Sequence, residues 1–169
     1  MPRICLIHAV KVAIAPVEEA FARLWPQASL MNLLDDSLSV DRQRDGMLTA
    51  AMVARFETLT RYAVATGADG VLFTCSAFGP AIEAAGRAVS IPVLKPNQAM
   101  FEEAFAAGNR LGLLASFDPS IAPMTEEFVA LALAYIQEEL VPTLIPPLKS
   151  RTFIPYVNEG DPGAATFVW

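Results

Sequence analysis

The stretch Gly70-Val71-Leu72-Phe73-Thr74-Cys75-Ser76-Ala77-Phe78-Gly79-Pro80 decides how the rest of the chain is read. Its opening run is apolar without alternation and too short for a helix. Residues 70–74 therefore predict a strand buried on both faces. Three polar residues follow, and Pro80, Ala81 and Ile82 then enter a helix predicted over residues 77–88. The same strand-then-helix pattern extends in both directions. Residues 3–8 predict a first strand, followed by a helix over 17–25 opened by Pro16, where Glu18 and Glu19 suit the positive helix end. Residues 29–34 predict a second strand. Leu48, Met52, Phe56, Leu59 and Ala63 recur at helical spacing across 47–66, and Gly67 closes that helix as a left-handed cap. Strands at 91–94 and 110–115 alternate with helices at 97–107 and from Pro119 to about residue 134. Apolar strands alternating with helices make an α/β fold: a parallel sheet with helices on both faces.

The chain has 169 residues, 54% of them hydrophobic, which is ample for a core and excludes a disordered chain. Its net charge of −6 comes without a basic cluster, so neither nucleic acid nor an anionic membrane is an expected partner. Cys5 and Cys75 are the two cysteines and do not make a disulfide framework. His8 and Lys11 interrupt the first apolar run before it reaches the roughly 7–15 residues of a secretory signal. Glu138, Glu139 and Pro142 break the longest later one. A cytoplasmic protein is expected.

Residues 35–46, with Asp35, Asp36, Asp41, Asp45, Arg42 and Arg44, read as a polar loop long enough to cover a site. Their carboxylates lack calcium-loop spacing, and one histidine without ligands at suitable spacing gives no metal site. No glycine-rich nucleotide motif is present, so no cofactor is expected. The proline-rich end (Pro142, Pro146, Pro147, Pro155, Pro162) allows a sixth strand over 139–145 and an apolar, aperiodic stretch over 149–157. The apolar ending Phe167-Val168-Trp169 needs cover, for which a homodimer is the expectation.

In open parallel sheets, sites gather at the carboxyl ends of strands. Those ends carry His8, Asp35 and Asp36, Thr74-Cys75-Ser76, Lys95, and Ser116-Phe117. Cys75 stands between a strand and a helix, where free amides and the helix dipole are expected to favour the thiolate. The same amides, at Ala77 and its neighbours, with the Thr74 and Ser76 hydroxyls, form a pocket suited to a carboxylate. Gly79 allows close approach of backbone or ligand. The plainer reading is that Cys75 fills space at a strand end. Cys5, between Ile4 and Leu6, reads as core. His8 is open between general acid, carboxylate contact and structural cap, and Lys95 reads as a solvated loop lysine.

Three segments carry a family resemblance. Leu72-Phe73-Thr74-Cys75-Ser76-Ala77-Phe78-Gly79-Pro80 resembles the first cysteine segment of the aspartate/glutamate/hydantoin racemase superfamily. Ile91-Pro92-Val93-Leu94-Lys95-Pro96-Asn97, with Met100-Phe101-Glu102-Glu103-Ala104, is similar to the strand and helix that come next there. Leu111-Gly112-Leu113-Leu114-Ala115-Ser116-Phe117 resembles the strand opening the second half. The likeness runs over about residues 3–134. It implies two facing α/β halves: a flavodoxin-like half at residues 1–97 carrying Cys75, and an incomplete second half at 98–169. It also implies cofactor-independent proton transfer by two opposed cysteines at the α-carbon of a small carboxylate. Cys75 matches the first of these. His8 falls at a substrate-contacting position, Thr74, Ser76 and Ala77 flank the thiol, and Ser116 and Phe117 lie on the matching turn of the second half. No cysteine follows Cys75, and the segment for a second one is expected to be missing. Three functions follow: a racemase-like isomerase or one-cysteine decarboxylase-like relative with Cys75 as acid/base; an impaired relative that binds a small acid or serves as an assembly subunit; and a hydrolase with Cys75 as nucleophile, which lacks triad partners.

Overall fold

Strand β1 (Arg3–His8) is buried from Cys5 to His8 and has a parallel neighbour on each side: β2 (Ser29–Leu34) and β3 (Gly70–Phe73). A computed structural model describes residues 1–108, 110–115 and 118–135, and the backbone of Ala165–Thr166. Strand β4 (Val93–Leu94) pairs with β3, also in parallel, and completes the order β2-β1-β3-β4. This is a flavodoxin-like order in which the chain reverses direction at β1 and β3. It runs through α1 (Ile14–Leu24) to β2, then back past β1 through α2 (Ser37–Asp45) and α3 (Ala50–Ala65) to β3. Right-handed crossovers of opposite direction put their helices on opposite faces. The contacts agree. Glu18 of α1 accepts a hydrogen bond from Asn32 on one face, while Phe56 of α3 stacks on Phe73 on the other.

The register fixes which side chains share a face. Leu6 lies beside Asn32, and Ile7 beside Phe73. Alternation then puts Leu6, His8, Asn32 and Thr74 on the α1 face, and Cys5, Ile7 and Phe73 on the α3 face. Cys5, Leu6 and Ile7 are fully buried. Burying each of the two larger side chains stabilises the fold by about 1.5–3 kcal/mol. The α3 side of the core is aromatic: Phe56 has ring centroids 4.9 Å from both Phe73 and Phe78. Helix α4 (Gly79–Arg87) adds Ala81, Ile82 and Ala85.

Several boundaries differ from the sequence reading. Helix α1 starts ahead of Pro16, which sits within its first turn, where an amide hydrogen would have no helical partner. Helix α3 begins after Thr49, whose Oγ1 accepts from the Met52 amide at 3.2 Å, and Gly67 follows it with φ +80°. Residues 35–46 are not a loop. They hold α2, closed by Gly46 in the left-handed conformation. It buries Leu38, Ser39 and Arg42, and the Ser39 hydroxyl donates to the Ala9 carbonyl at 2.9 Å. Ion pairs add to this. Arg44 pairs with Asp41 at 2.8 Å within the helix, and Arg55 reaches across from α3 to Asp41 at 2.6 Å and to Asp35.

Partial burial alone would raise the Asp35 carboxyl, but hydrogen bonds from Ser37 and Arg55, with the Arg55 charge, hold it below its ordinary 3.8. A carboxyl depressed in the folded state stabilises the fold above its unfolded value, and that contribution is lost as pH falls through the folded one. Arg55→Ala is therefore expected to cost about 1 kcal/mol at neutral pH. The deficit should shrink as the pH falls below the carboxylate range, as read by urea melts of both proteins across pH 3–7.

The chain divides into two compact units, Met1–Pro96 and Asn97–Trp169. The second contains α5 (Gln98–Ala107), β5 (Leu114–Ala115) and α6 (Ile121–Tyr135). Its cluster is Phe101, Leu113, Ala115, Met124 and Phe128, with Phe101 and Phe128 edge to face at 5.3 Å. Strand β5 is shorter than the sequence suggested and pairs antiparallel with β6 (Ala165–Thr166), where alternation of strand and helix had predicted parallel pairing. Ser116 and Phe117, the sixth strand read over 139–145, the stretch 149–157 and the ending Phe167-Val168-Trp169 lie outside the described residues. Among the described residues no helix is long and apolar enough to cross a membrane.

Candidate functional site

The reversal between β1 and β3 opens the carboxyl edge of the sheet, and His8 and Thr74 span it. The Thr74 amide donates to the Ile7 carbonyl at 3.1 Å, continuing the ladder one residue beyond β3. On the other side, the Asp35 amide donates to the His8 carbonyl at 3.0 Å. His8 is 0% exposed. Its Nδ1 lies 2.9 Å from Thr74 Oγ1, and its Nε2 lies 2.9 Å from Asn32 Oδ1. Asn32 in turn donates from Nδ2 to Glu18 Oε1 at 2.7 Å. The sequence reading left His8 open between three roles and, by resemblance, at a substrate contact. In the fold its ring faces Thr74 and Asn32.

The sequence alone does not single out Asn32 and Glu18. The available signal was a single amide in the middle of the apolar strand Ser29–Leu34. In the sequence Glu18 stands out only through the helix dipole.

Thr74, Cys75 and Ser76 are consecutive and half-buried; Cys75 has extended backbone, and Ser76 opens a 3-10 turn over Ser76–Phe78. Beneath them Ala77 and Phe78 are buried, so Ala77 offers a site its backbone rather than its methyl group. A Cβ added at Gly79 would meet no atom within 4 Å, so the space there is open.

The expected lowering of the Cys75 pKa is not found. Burial pushes the thiol above its ordinary value, and the nearby Ala77 amide opposes this only in part. The reason is local geometry. Helix α4 begins at Gly79, with the 3-10 turn between it and the thiol, so the positive helix end lies beyond Cys75. Cys5, deep in β1, is pushed up to about 11 by desolvation. Alkylation of the folded protein at mildly alkaline pH is accordingly expected to mark Cys75 first, with Cys5 reacting only after unfolding. Peptide mapping of the alkylated protein checks this order.

Lys95 is not the solvated lysine the sequence suggested: it is mostly buried and pairs with Glu83 at 2.9 Å. Among the described residues no group of three or more histidine, cysteine or acidic side chains is placed to hold a metal ion.

A search of curated proteins by sequence gives no match. The family model for Asp/Glu/Hydantoin racemase matches residues 16–145, most of the chain, including β2, β3, the Thr74-Cys75-Ser76 segment and α4. On that match, the chain belongs to the Asp/Glu/Hydantoin racemase family.

Proposed function

We propose that the protein is a cofactor-independent, racemase-like isomerase in which Cys75 exchanges a proton at the α-carbon of a small carboxylate. The observation that carries this reading is the placement of Cys75. Cys75 is half-buried and directly past the reversal point of the sheet, with Thr74 and Ser76 as its chain neighbours, in the segment matched by the family model. Moving a proton on and off carbon requires one group of suitable acidity and no redox partner. Thiolate takes the α-hydrogen as a proton, the C–H electron pair delocalises into the carboxyl group, and the thiol so formed returns the proton. The Ser76 hydroxyl and the amides of the 3-10 turn are the donors for the negative oxygen.

Burial of Cys75 shapes the expected chemistry. A raised pKa makes the thiol the resting form, so Cys75 is better prepared to give a proton than to take one. A single thiol returns the proton to the face it came from, and inversion requires a second group on the opposite face. The same observation favours a second reading: a family member that binds a small acid without turning it over.

Incubation in D2O with α-amino acids, hydantoins and arylmalonates separates the two. Deuterium at the α-carbon, read by proton NMR, supports the enzyme. Thermal stabilisation by a candidate acid with no exchange in any of them supports the binding protein.

A further inference from the structure

We propose that Glu18 sets the tautomer of His8 through Asn32, and that His8 so fixed holds the Thr74 hydroxyl in one orientation beside Cys75. The direction of each bond follows from the end that has no choice. The Glu18 carboxylate only accepts, so the Asn32 group facing it at 2.7 Å is the amide NH2. Asn32 therefore turns its carbonyl oxygen to His8 Nε2 at 2.9 Å, and that nitrogen carries the hydrogen. In the neutral ring the other nitrogen, Nδ1, is then an acceptor. Its neighbour at 2.9 Å is the Thr74 hydroxyl, which donates to it in preference to the Ile7 carbonyl at 3.4 Å.

Glu18 thus acts on Thr74 across three hydrogen bonds, from helix α1 to the end of β3. The consequence is a polarity. With its single hydrogen committed to Nδ1, Thr74 Oγ1 presents only lone pairs to its surroundings, and a ligand group that meets it must be a donor. Recognition of a carboxylate then falls to Ser76 and the backbone amides, not to Thr74. His8 and Glu18 are positioning residues in this scheme. Only the consequence for ligands rests on the function proposed above; the tautomer does not.

The chain has one histidine, so its ring nitrogens give an unambiguous spectrum. In protein labelled with 15N-histidine, at a pH where the ring is neutral, long-range proton–nitrogen spectra should show hydrogen on Nε2 alone. Glu18→Gln gives Asn32 an amide partner and lets it turn over. The tautomer ratio should then move toward Nδ1–H by about tenfold, the worth of one hydrogen bond to a charged group. Adding Asn32→Asp to that variant restores an acceptor-only group against Nε2 and should restore the Nε2–H form. Thr74→Val should shift the Nδ1 resonance and leave hydrogen on Nε2. Hydrogen on Nδ1 in the wild-type protein, or an unchanged ratio in Glu18→Gln, overturns the proposal. Failure of α-carbon exchange would leave these spectra untouched, so the two readings fail separately.

Discussion

Cys75→Ser is expected to lower α-carbon proton exchange by about 10²–10⁴-fold while leaving the fold in place. That range is what a positioned acid or base contributes to carbon-proton transfer. Serine keeps the size and the hydrogen-bonding geometry but binds its proton far too tightly to become a base near neutral pH. Cys75 is half-buried at a strand end rather than inside the core, so the exchange costs little packing. Cys5→Ala makes the useful contrast. It removes a fully buried side chain on the α3 face of β1, which should lower stability but leave the rate per folded molecule unchanged. If both variants lost activity in proportion to their stability, Cys75 would be a packing residue after all.

The second large effect belongs to the aromatic floor beneath the site. Phe56→Ala should destabilise the protein by about 3–5 kcal/mol, the range for emptying a buried aromatic site. Phe56 is 1% exposed; it stacks on Phe73, at the end of β3, and meets Phe78, at the end of the 3-10 turn, at a tilt. The Thr74-Cys75-Ser76 segment runs between those two contacts. Against a typical total of about 5–15 kcal/mol, the loss is a large share of the stability. Urea unfolding should show a much lower midpoint. Activity should fall faster than the folded fraction, because the floor also fixes the segment that carries the thiol.

What the sequence made legible follows from range. Strand β1 and helix α3 are written in their own residues, as an apolar run and as a 3.6-residue period, and both stand close to where they were expected. Gly67 takes the left-handed conformation for the same local reason. Helix α2 reads as a loop in the sequence because its residues have no apolar period. Much of what holds it is Arg55, on another helix, and that pairing is invisible from within residues 35–46. The position of Cys75 was legible but its acidity was not, because the 3-10 turn and the burial that set it arise only in the packed chain. Asn32 and Glu18 are not legible in the sequence for a similar reason. They meet His8 through strand register and helix placement, and no motif joins them.

In the proposed function, Cys75 moves a proton at a substrate's α-carbon. The most direct test of this is deuterium incorporation from D2O, measured side by side for the wild-type protein and Cys75→Ala at equal folded concentration. Deuterium at the α-carbon of at least one small carboxylate with the wild type, and none above background with the variant, is the predicted result. Equal incorporation by both proteins would contradict it.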